Sequence, residues 1–145
     1  MKNFLLLLFI VTTLLGCEDK KGQDCHVPPP VLSLLINRES EIYKEFVDPA
    51  GNLNKDNVKI YKEDKIYPFI FDNTYRKDYL IIRINLNFEN DVYTGKTETL
   101  YLQNPVKTYK IEVNGYMQSK GCGPVAHTNE IRVDGVKIED NYLAK

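Results

Sequence analysis

The stretch Tyr79-Leu80-Ile81-Ile82-Arg83-Ile84-Asn85-Leu86-Asn87-Phe88 decides the fold class of this chain. Apolar residues recur at every second position from Leu80 to Phe88, and most of the residues between them are polar. A period of two places alternate side chains on opposite faces of an extended strand, so that one face is buried. The stretch is therefore predicted to be a half-buried β-strand.

Shorter runs on both sides of this stretch follow the same alternating pattern. The further predicted strands are residues 31–37, 58–61, 65–71, 97–102, 108–113, 131–133 and 136–138. Asp134-Gly135 joins the last two, and an Asp-Gly pair between alternating strands is the strongest short-range signal for a β-hairpin. Pro68 cannot donate a backbone hydrogen bond, which places its strand at a sheet edge. Residues 39–46 have apolar residues at helical spacing, although a strand or a loop fits them equally well.

About seven short strands separated by turn-forming residues predict an all-β fold. We expect an antiparallel β-sandwich of immunoglobulin-like or transthyretin-like type, formed by a single domain over residues 31–145.

The first sixteen residues have the features of a bacterial signal peptide. Lys2 provides a positive charge, and an apolar run follows that is shorter than the roughly 20 residues a membrane-spanning helix needs. Leu14-Leu15-Gly16-Cys17 matches the lipobox, in which a small residue precedes the cysteine that receives the lipid. We predict cleavage after residue 16, a lipid anchor on Cys17, and a flexible tether over residues 17–30.

The charge of the chain gives no reason to expect a nucleic-acid partner. Removal of residues 1–16 removes one lysine and no acid, which leaves 18 basic against 20 acidic residues, a formal net charge of −2. Nucleic-acid binding normally needs a clustered positive surface. The expected partners are the membrane, through the lipid on Cys17, and an envelope protein.

Two cysteines remain once Cys17 carries the lipid. Cys25 and Cys122 form an even pair in an exported protein, where the environment is oxidising, so we predict a disulfide between them. Two free thiols are the alternative. Neither cysteine has a second cysteine at the spacing of a thioredoxin-like redox site.

The lipobox, the charged tether, the run Pro28-Pro29-Pro30 and the strand that follows it resemble the small envelope lipoproteins of Bacteroidota, as does the later sequence Asn57-Val58-Lys59-Ile60-Tyr61. This resemblance implies an immunoglobulin-like or carboxypeptidase-regulatory-like sandwich in the cell envelope, lipid-anchored to the outer membrane on its periplasmic or surface face. It brings no catalytic residues with it.

The chain contains two histidines, and they are the best-suited candidates for metal ligands. His26 adjoins Cys25 and His127 follows Cys122, so the predicted disulfide would bring both imidazoles close together. Two solvated histidines on loops are the favoured alternative, and we predict neither a metal nor another cofactor.

The ten tyrosines are the remaining candidates for a binding surface. Those predicted near turns or on outer strand faces are Tyr43, Tyr61, Tyr67, Tyr75, Tyr93, Tyr101 and Tyr116. Residues 92–95 and 115–117 are predicted to be exposed loops. Exposed tyrosines stack on sugars or anchor protein partners. None of the common catalytic motifs is present. The sequence therefore predicts a non-enzymatic binding or accessory module, with a glycan-binding or metal-binding lipoprotein as the alternative.

Overall fold

The structure is a computed structural model that describes residues 28–87, 91–120 and 123–145. Ten strands lie in these ranges: β1 (Val31–Asn37), β2 (Lys59–Lys62), β3 (Lys65–Ile66), β4 (Phe69–Asp72), β5 (Tyr79–Asn85), β6 (Thr94–Gln103), β7 (Thr108–Lys120), β8 (Gly123–Val133), β9 (Val136–Ile138) and β10 (Tyr142–Ala144). The helix α1 spans Glu41–Lys44, and a 3-10 turn spans Lys55–Asn57. None of the described helices has the length and apolar character needed to cross a bilayer.

The strands form two sheets. The small sheet has four strands in the order β10-β1-β5-β4, and the large sheet has six in the order β3-β2-β6-β7-β8-β9. Neighbouring strands are antiparallel, except that β1 and β10 are parallel. The predicted all-β sandwich is confirmed. The eight segments predicted from the sequence correspond to ten strands, because residues 65–71 are divided into β3 and β4 and the three-residue strand β10 was not predicted.

A single apolar core lies between the sheets, as the alternation in the sequence predicts. The small sheet contributes Leu32, Leu34 and Ile36 from β1 and Leu80, Ile82 and Ile84 from β5. The large sheet contributes Ile60, Leu100, Leu102, Tyr109, Ile111 and Val113. Each fully buried aliphatic side chain stabilises the fold by about 1.5–3 kcal/mol.

The predicted strand over residues 65–71 is divided between the two sheets. The chain leaves β3, the edge of the large sheet, and enters β4, the edge of the small sheet, through Tyr67-Pro68. The predicted edge position is confirmed. Tyr67 is 1% exposed and donates its hydroxyl to Asp91 Oδ2 at 2.6 Å. Burial raises the pKa of Asp91, but hydrogen bonds from the side chains of Lys65 and Tyr67 outweigh it, so the pKa is lowered.

The hairpin of β7 and β8 is longer than the sequence predicts. The pairing register shifts between Asn114↔Glu130 and Gly115↔Thr128, which leaves Asn129 as the extra residue of a β-bulge. The ring of Tyr93 lies against Gly115: a Cβ atom there would be 2.6 Å from Tyr93 Cδ1. Residue 115 must therefore lack a side chain for Tyr93 to occupy this position.

The segment of uncertain class at residues 39–46 contains the short helix α1. Ser40 caps it, since the Ser40 hydroxyl accepts a hydrogen bond from the backbone N–H of Tyr43. Glu45 follows the helix and ties it to the large sheet: Glu45 Oε2 accepts from the Tyr109 hydroxyl at 2.6 Å and from Asn104 Nδ2 at 2.9 Å.

Candidate functional site

The outer face of the small sheet carries four apolar side chains among its polar ones, although this face lies towards solvent. Val31 and Leu35 of β1, Ile70 of β4 and Ile81 of β5 point away from the core, because their neighbours along each strand point into it. Val31 is 44% exposed and Ile70 is 47% exposed. Ile81 pairs with Leu35 across the sheet and is only 6% exposed, because neighbouring side chains on this face cover it. Ser33 lies between Val31 and Leu35 on β1, and Arg83 pairs with both Ser33 and Ile70, so the four residues form an apolar floor that polar side chains interrupt.

The floor belongs to an open groove with a volume of about 710 Å³. Ser33, Arg83, Asn85 and Asp140 add polar groups to its lining. Arg83 pairs with Asp72, with 2.7 Å between Nη2 and Oδ2. Hydrogen bonds from the backbone and then the hydroxyl of Thr74, with the charge of Arg83, lower the pKa of Asp72.

Tyr75, Arg76 and Tyr142 line this groove, and Tyr79 packs against Arg76 and Tyr142. The Nη1 atom of Arg76 donates a hydrogen bond to the Tyr142 hydroxyl at 2.7 Å, across 66 positions of sequence. The guanidinium carbon of Arg76 lies 5.7 Å from the centre of the Tyr79 ring, and the rings of Tyr79 and Tyr142 are 5.3 Å apart. Tyr75, adjacent to this cluster, is 80% exposed. The arginine therefore bridges the β4–β5 connection to β10.

Arg76 and Asp140 differ from the other charged residues of the groove in their pairing. Within the described ranges, neither of them lies within ion-pair distance of an opposite charge. Asp140 precedes β10 and, like Asn141, has a positive φ, in the turn closed by the hydrogen bond from Tyr142 N to Glu139 O. The groove thus presents one positive and one negative group to a ligand.

The outer face of the large sheet has a different character. Lys110 pairs with Glu112 at 2.6 Å, and Glu130 pairs with both Arg132 and Lys137. Ion pairs of this kind, two within a strand and one between β8 and β9, are typical of a sheet face that meets water. The contrast makes the small sheet the better candidate for a contact surface.

This arrangement is suited to binding. Exposed aromatic side chains and arginines are enriched where proteins contact one another. A hydrolytic site would instead need a nucleophile hydrogen-bonded to a base. Ser33, a hydroxyl in the groove, has no histidine beside it among the described lining residues.

Most of the site residues predicted from the sequence fall outside the described residues. These are the lipidation site Cys17, the disulfide pair Cys25 and Cys122, and the metal-ligand candidate His26. The lipid anchor, the disulfide and the paired histidines stay predictions.

His127 is the predicted metal-ligand candidate that the structure describes, and it lies in β8 rather than in a loop. Its ring stacks on Tyr116, with 5.4 Å between the ring centres. Glu130, a carboxylate three residues further along β8, is paired with Arg132. In the described parts of the chain, no three potential metal-ligating side chains lie together.

The seven tyrosines predicted near turns or on outer faces divide into three groups, of which the intermediate one, partly buried, contains Tyr43, Tyr61 and Tyr101. Tyr75 is 80% exposed and Tyr116 is 40% exposed, as predicted. The prediction was wrong for Tyr67 and Tyr93, which are 1% and 4% exposed, because their hydroxyls bind Asp91 and Thr128 while their rings are buried. Residues 115–117 were also wrongly assigned to a loop: they lie within β7.

Sequence reasoning missed Arg76, Tyr142 and the outward-facing Ile81. Ile81 did leave a signal, because it is an apolar residue on the strand face that otherwise carries Arg83 and Asn85. The contact between Arg76 and Tyr142 left no signal in the sequence, because a local pattern cannot predict that two side chains distant in sequence will meet.

Comparisons of this chain with protein-family models, with curated proteins and with solved structures give no match.

Proposed function

We propose that this protein is a bacterial envelope lipoprotein, anchored through lipid on Cys17, whose sandwich binds a protein partner without catalysing a reaction. The observation that carries the proposal is the apolar outer face of the small sheet, with its groove and the 80% exposed ring of Tyr75. An apolar patch bordered by polar groups on an otherwise polar surface marks an interaction site.

Exposed side chains on this face supply a driving force for association. Val31, Ile70 and Tyr75 retain much of their surface in contact with water. Removal of apolar surface from water contributes about 25 cal/mol per Å². The cluster around Arg76 holds the rim of the groove in place, which lowers the entropy lost when a partner binds.

The predicted anchor would bring the groove close to a membrane. Val31 is both the first residue of β1 and part of the groove lining, and the N–H of Leu86 donates to Pro30 O at 3.1 Å, where the predicted tether ends. Fourteen positions separate Cys17 from Val31 in the sequence. A fully extended segment of this length reaches about 48 Å. Partners in the same membrane are therefore within reach.

The proposal is tested by affinity capture from native membranes with the full chain as bait. The double variant Ile70→Glu/Tyr75→Ser alters the groove, and Val136→Glu alters a residue that is 67% exposed outside it. We expect wild type and Val136→Glu to retain the same envelope protein, and the groove variant and Cys17→Ser to lose it. Equal capture by wild type and the groove variant would refute the role of this face.

Glycan binding is the second candidate function. The exposed ring of Tyr75 beside Arg76, with Asn85 and Asp140 in the same lining, offers a stacking surface with hydrogen-bonding groups. Calorimetric titration with a panel of sugars should then release heat with wild type and none with Tyr75→Ser. Absence of heat with every sugar would dispose of this candidate.

A further inference from the structure

We infer that the protein partner adds an extended segment of its own chain to the small sheet, as a further strand beside Val31–Leu34 of β1. The inference rests on the proposed binding role of this face and names the contact that holds the partner. The observation behind it is an open stretch of sheet edge that runs along the groove.

Strand β10 covers only part of the edge of β1. The two strands pair at Leu35 and Ile36 of β1. Asp140 has a φ of 50°, so the chain that precedes β10 is not extended and does not continue alongside Val31–Leu34. In the described parts of the chain, no strand lies next to Val31–Leu34 on the side away from β5. The edge of the sheet is therefore open there.

Backbone groups of Val31 and Ser33 point towards this open side. The N–H of Leu35 donates to Asn141 O at 2.9 Å, on the side of β1 away from β5. In an antiparallel pair, residues directed towards the neighbouring strand alternate with residues directed away from it, so Val31 and Ser33 point the same way as Leu35. Among the residues that the structure describes, their N–H and C=O groups have no hydrogen-bond partner. An extended polypeptide carries donors and acceptors at the matching spacing.

The open edge also lacks the side chains that normally prevent strand addition. Edge strands commonly carry charged residues or proline, which oppose pairing with another chain. Strand β3 carries Lys65, β4 carries Asp72 and β9 carries Lys137. The residues of Val31–Leu34 include neither a charge nor a proline. The sequence of this edge therefore favours a further strand.

A second copy of this chain does not fit the open edge. The N–H of Leu86 donates to Pro30 O at 3.1 Å, which continues the register of the β1–β5 pairs, so Pro30 lies in line with β1. The edge of a second β1 beside Val31–Leu34 would continue into the place that β10 occupies at Leu35, whichever direction it ran. The occupant is therefore a short extended segment, as found in a loop, a linker or a chain end.

The surroundings of the open edge define the side chains of this segment. Leu32 and Leu34 point into the core and are 1% and 0% exposed, whereas Val31 and Ser33 line the groove. Side chains of the added strand alternate in the same way, so those on the core side should be apolar. On the groove side, Asp140 is exposed and lacks an ion-pair partner within the described ranges. A segment in which apolar and basic residues alternate complements both sides.

A capped heptapeptide in which lysine and valine alternate serves as the probe, with the full chain purified in detergent. We expect it to bind with a Kd on the order of 1 mM or tighter. At about ten times this concentration, hydrogen exchange measured by NMR should slow by about tenfold at the N–H groups of Val31 and Ser33, because they become hydrogen-bonded. The matching peptide with glutamate in place of lysine should bind at least about threefold more weakly, and Asp140→Asn should remove this difference.

Two substitutions at one position separate the backbone contact from the side-chain contact. Ser33→Pro removes an N–H group that faces the open side, and it removes no hydrogen bond to β5, so a proline can be accommodated there. Ser33→Ala is the matched control, because it changes the same side chain and keeps the N–H group. We expect Ser33→Ala to bind the lysine peptide as wild type does, and Ser33→Pro to bind it at least about tenfold more weakly. Circular dichroism verifies that both variants are folded, and the exchange measurement on wild type depends on neither of them.

Unchanged exchange at Val31 and Ser33 in the presence of the lysine peptide would overturn the inference, as would equal binding by Ser33→Pro and Ser33→Ala. Equal affinity of wild type for the two peptides would overturn the basic character of the segment. Slow exchange at both N–H groups before any peptide is added would show that this chain already occupies the edge, and would overturn the inference as well. If Ile70→Glu/Tyr75→Ser nevertheless lost its captured envelope protein, the proposed binding role would stand. If that variant lost nothing either, both would fail.

Discussion

Replacement of Gly115 by alanine should destabilise this protein through a clash with its own backbone. The new Cβ atom would lie 2.5 Å from the carbonyl oxygen of His127 and 2.6 Å from Tyr93 Cδ1. An ordinary contact begins at 3.4 Å, so the β8 backbone would have to move by 3.4 − 2.5 = 0.9 Å. Overpacking of this kind costs about 1–3 kcal/mol. For a domain of this size, such a loss lowers Tm by roughly 4 °C or more.

Chemical denaturation of wild type and Gly115→Ala measures this cost directly. The same substitution in a Tyr93→Ala background separates the two contributions to the loss of stability. Shortening Tyr93 removes the contact with the ring but leaves the contact with the His127 carbonyl oxygen. Gly115→Ala should therefore remain destabilising in that background. Identical unfolding midpoints for wild type and the single variant would refute the hairpin register and the position of the Tyr93 ring.

Three further predictions concern the core and its polar contacts. Ile84→Asp should leave the chain unfolded by circular dichroism, because it places an unpaired charge in the core. Glu45→Ala should lower the free energy of unfolding by about 1–3 kcal/mol in denaturant titrations, since it deprives the Tyr109 hydroxyl and Asn104 Nδ2 of their acceptor; no change would exclude this contact. The pKa of Asp91 is lowered in the folded state, so its stabilising contribution is present above its unfolded pKa of about 4 and is lost as pH falls below that value. Denaturant midpoints should consequently fall more steeply below about pH 4 for wild type than for Asp91→Asn, and parallel curves would show that Lys65 and Tyr67 do not hold this carboxylate.

Strands in which apolar and polar residues alternate strongly were predictable from the sequence, because burial of one sheet face requires this alternation. Residues 31–37 were predicted with the bounds that the structure shows, and the hairpin at Asp134-Gly135 is present, with a positive φ at both residues. The outer part of β7 and β8 was missed because both of its faces are partly exposed and alternation is weak there. Strand β10 is too short to show a period, and its pairing with β1 is long-range.

The candidate site was less predictable than the fold. Tyr75 stood among seven tyrosines with similar local sequence signals, and the structure alone distinguishes it from the buried Tyr67 and Tyr93. The groove depends on the lateral order of four strands, which brings β10 beside β1 and Tyr142 beside Arg76. The lateral order of the strands depends on how the whole chain packs, so it cannot be predicted from a local sequence pattern.

Photo-crosslinking in living cells tests most directly whether the outer face of the small sheet binds a protein. A crosslinking amino acid at position 75 of the full chain probes the groove, and the same group at position 136 probes a comparably exposed site, since Tyr75 is 80% and Val136 is 67% exposed. We predict a discrete adduct with an envelope protein at position 75 and not at position 136. No adduct at position 75, or equal adducts at both positions, would contradict the account.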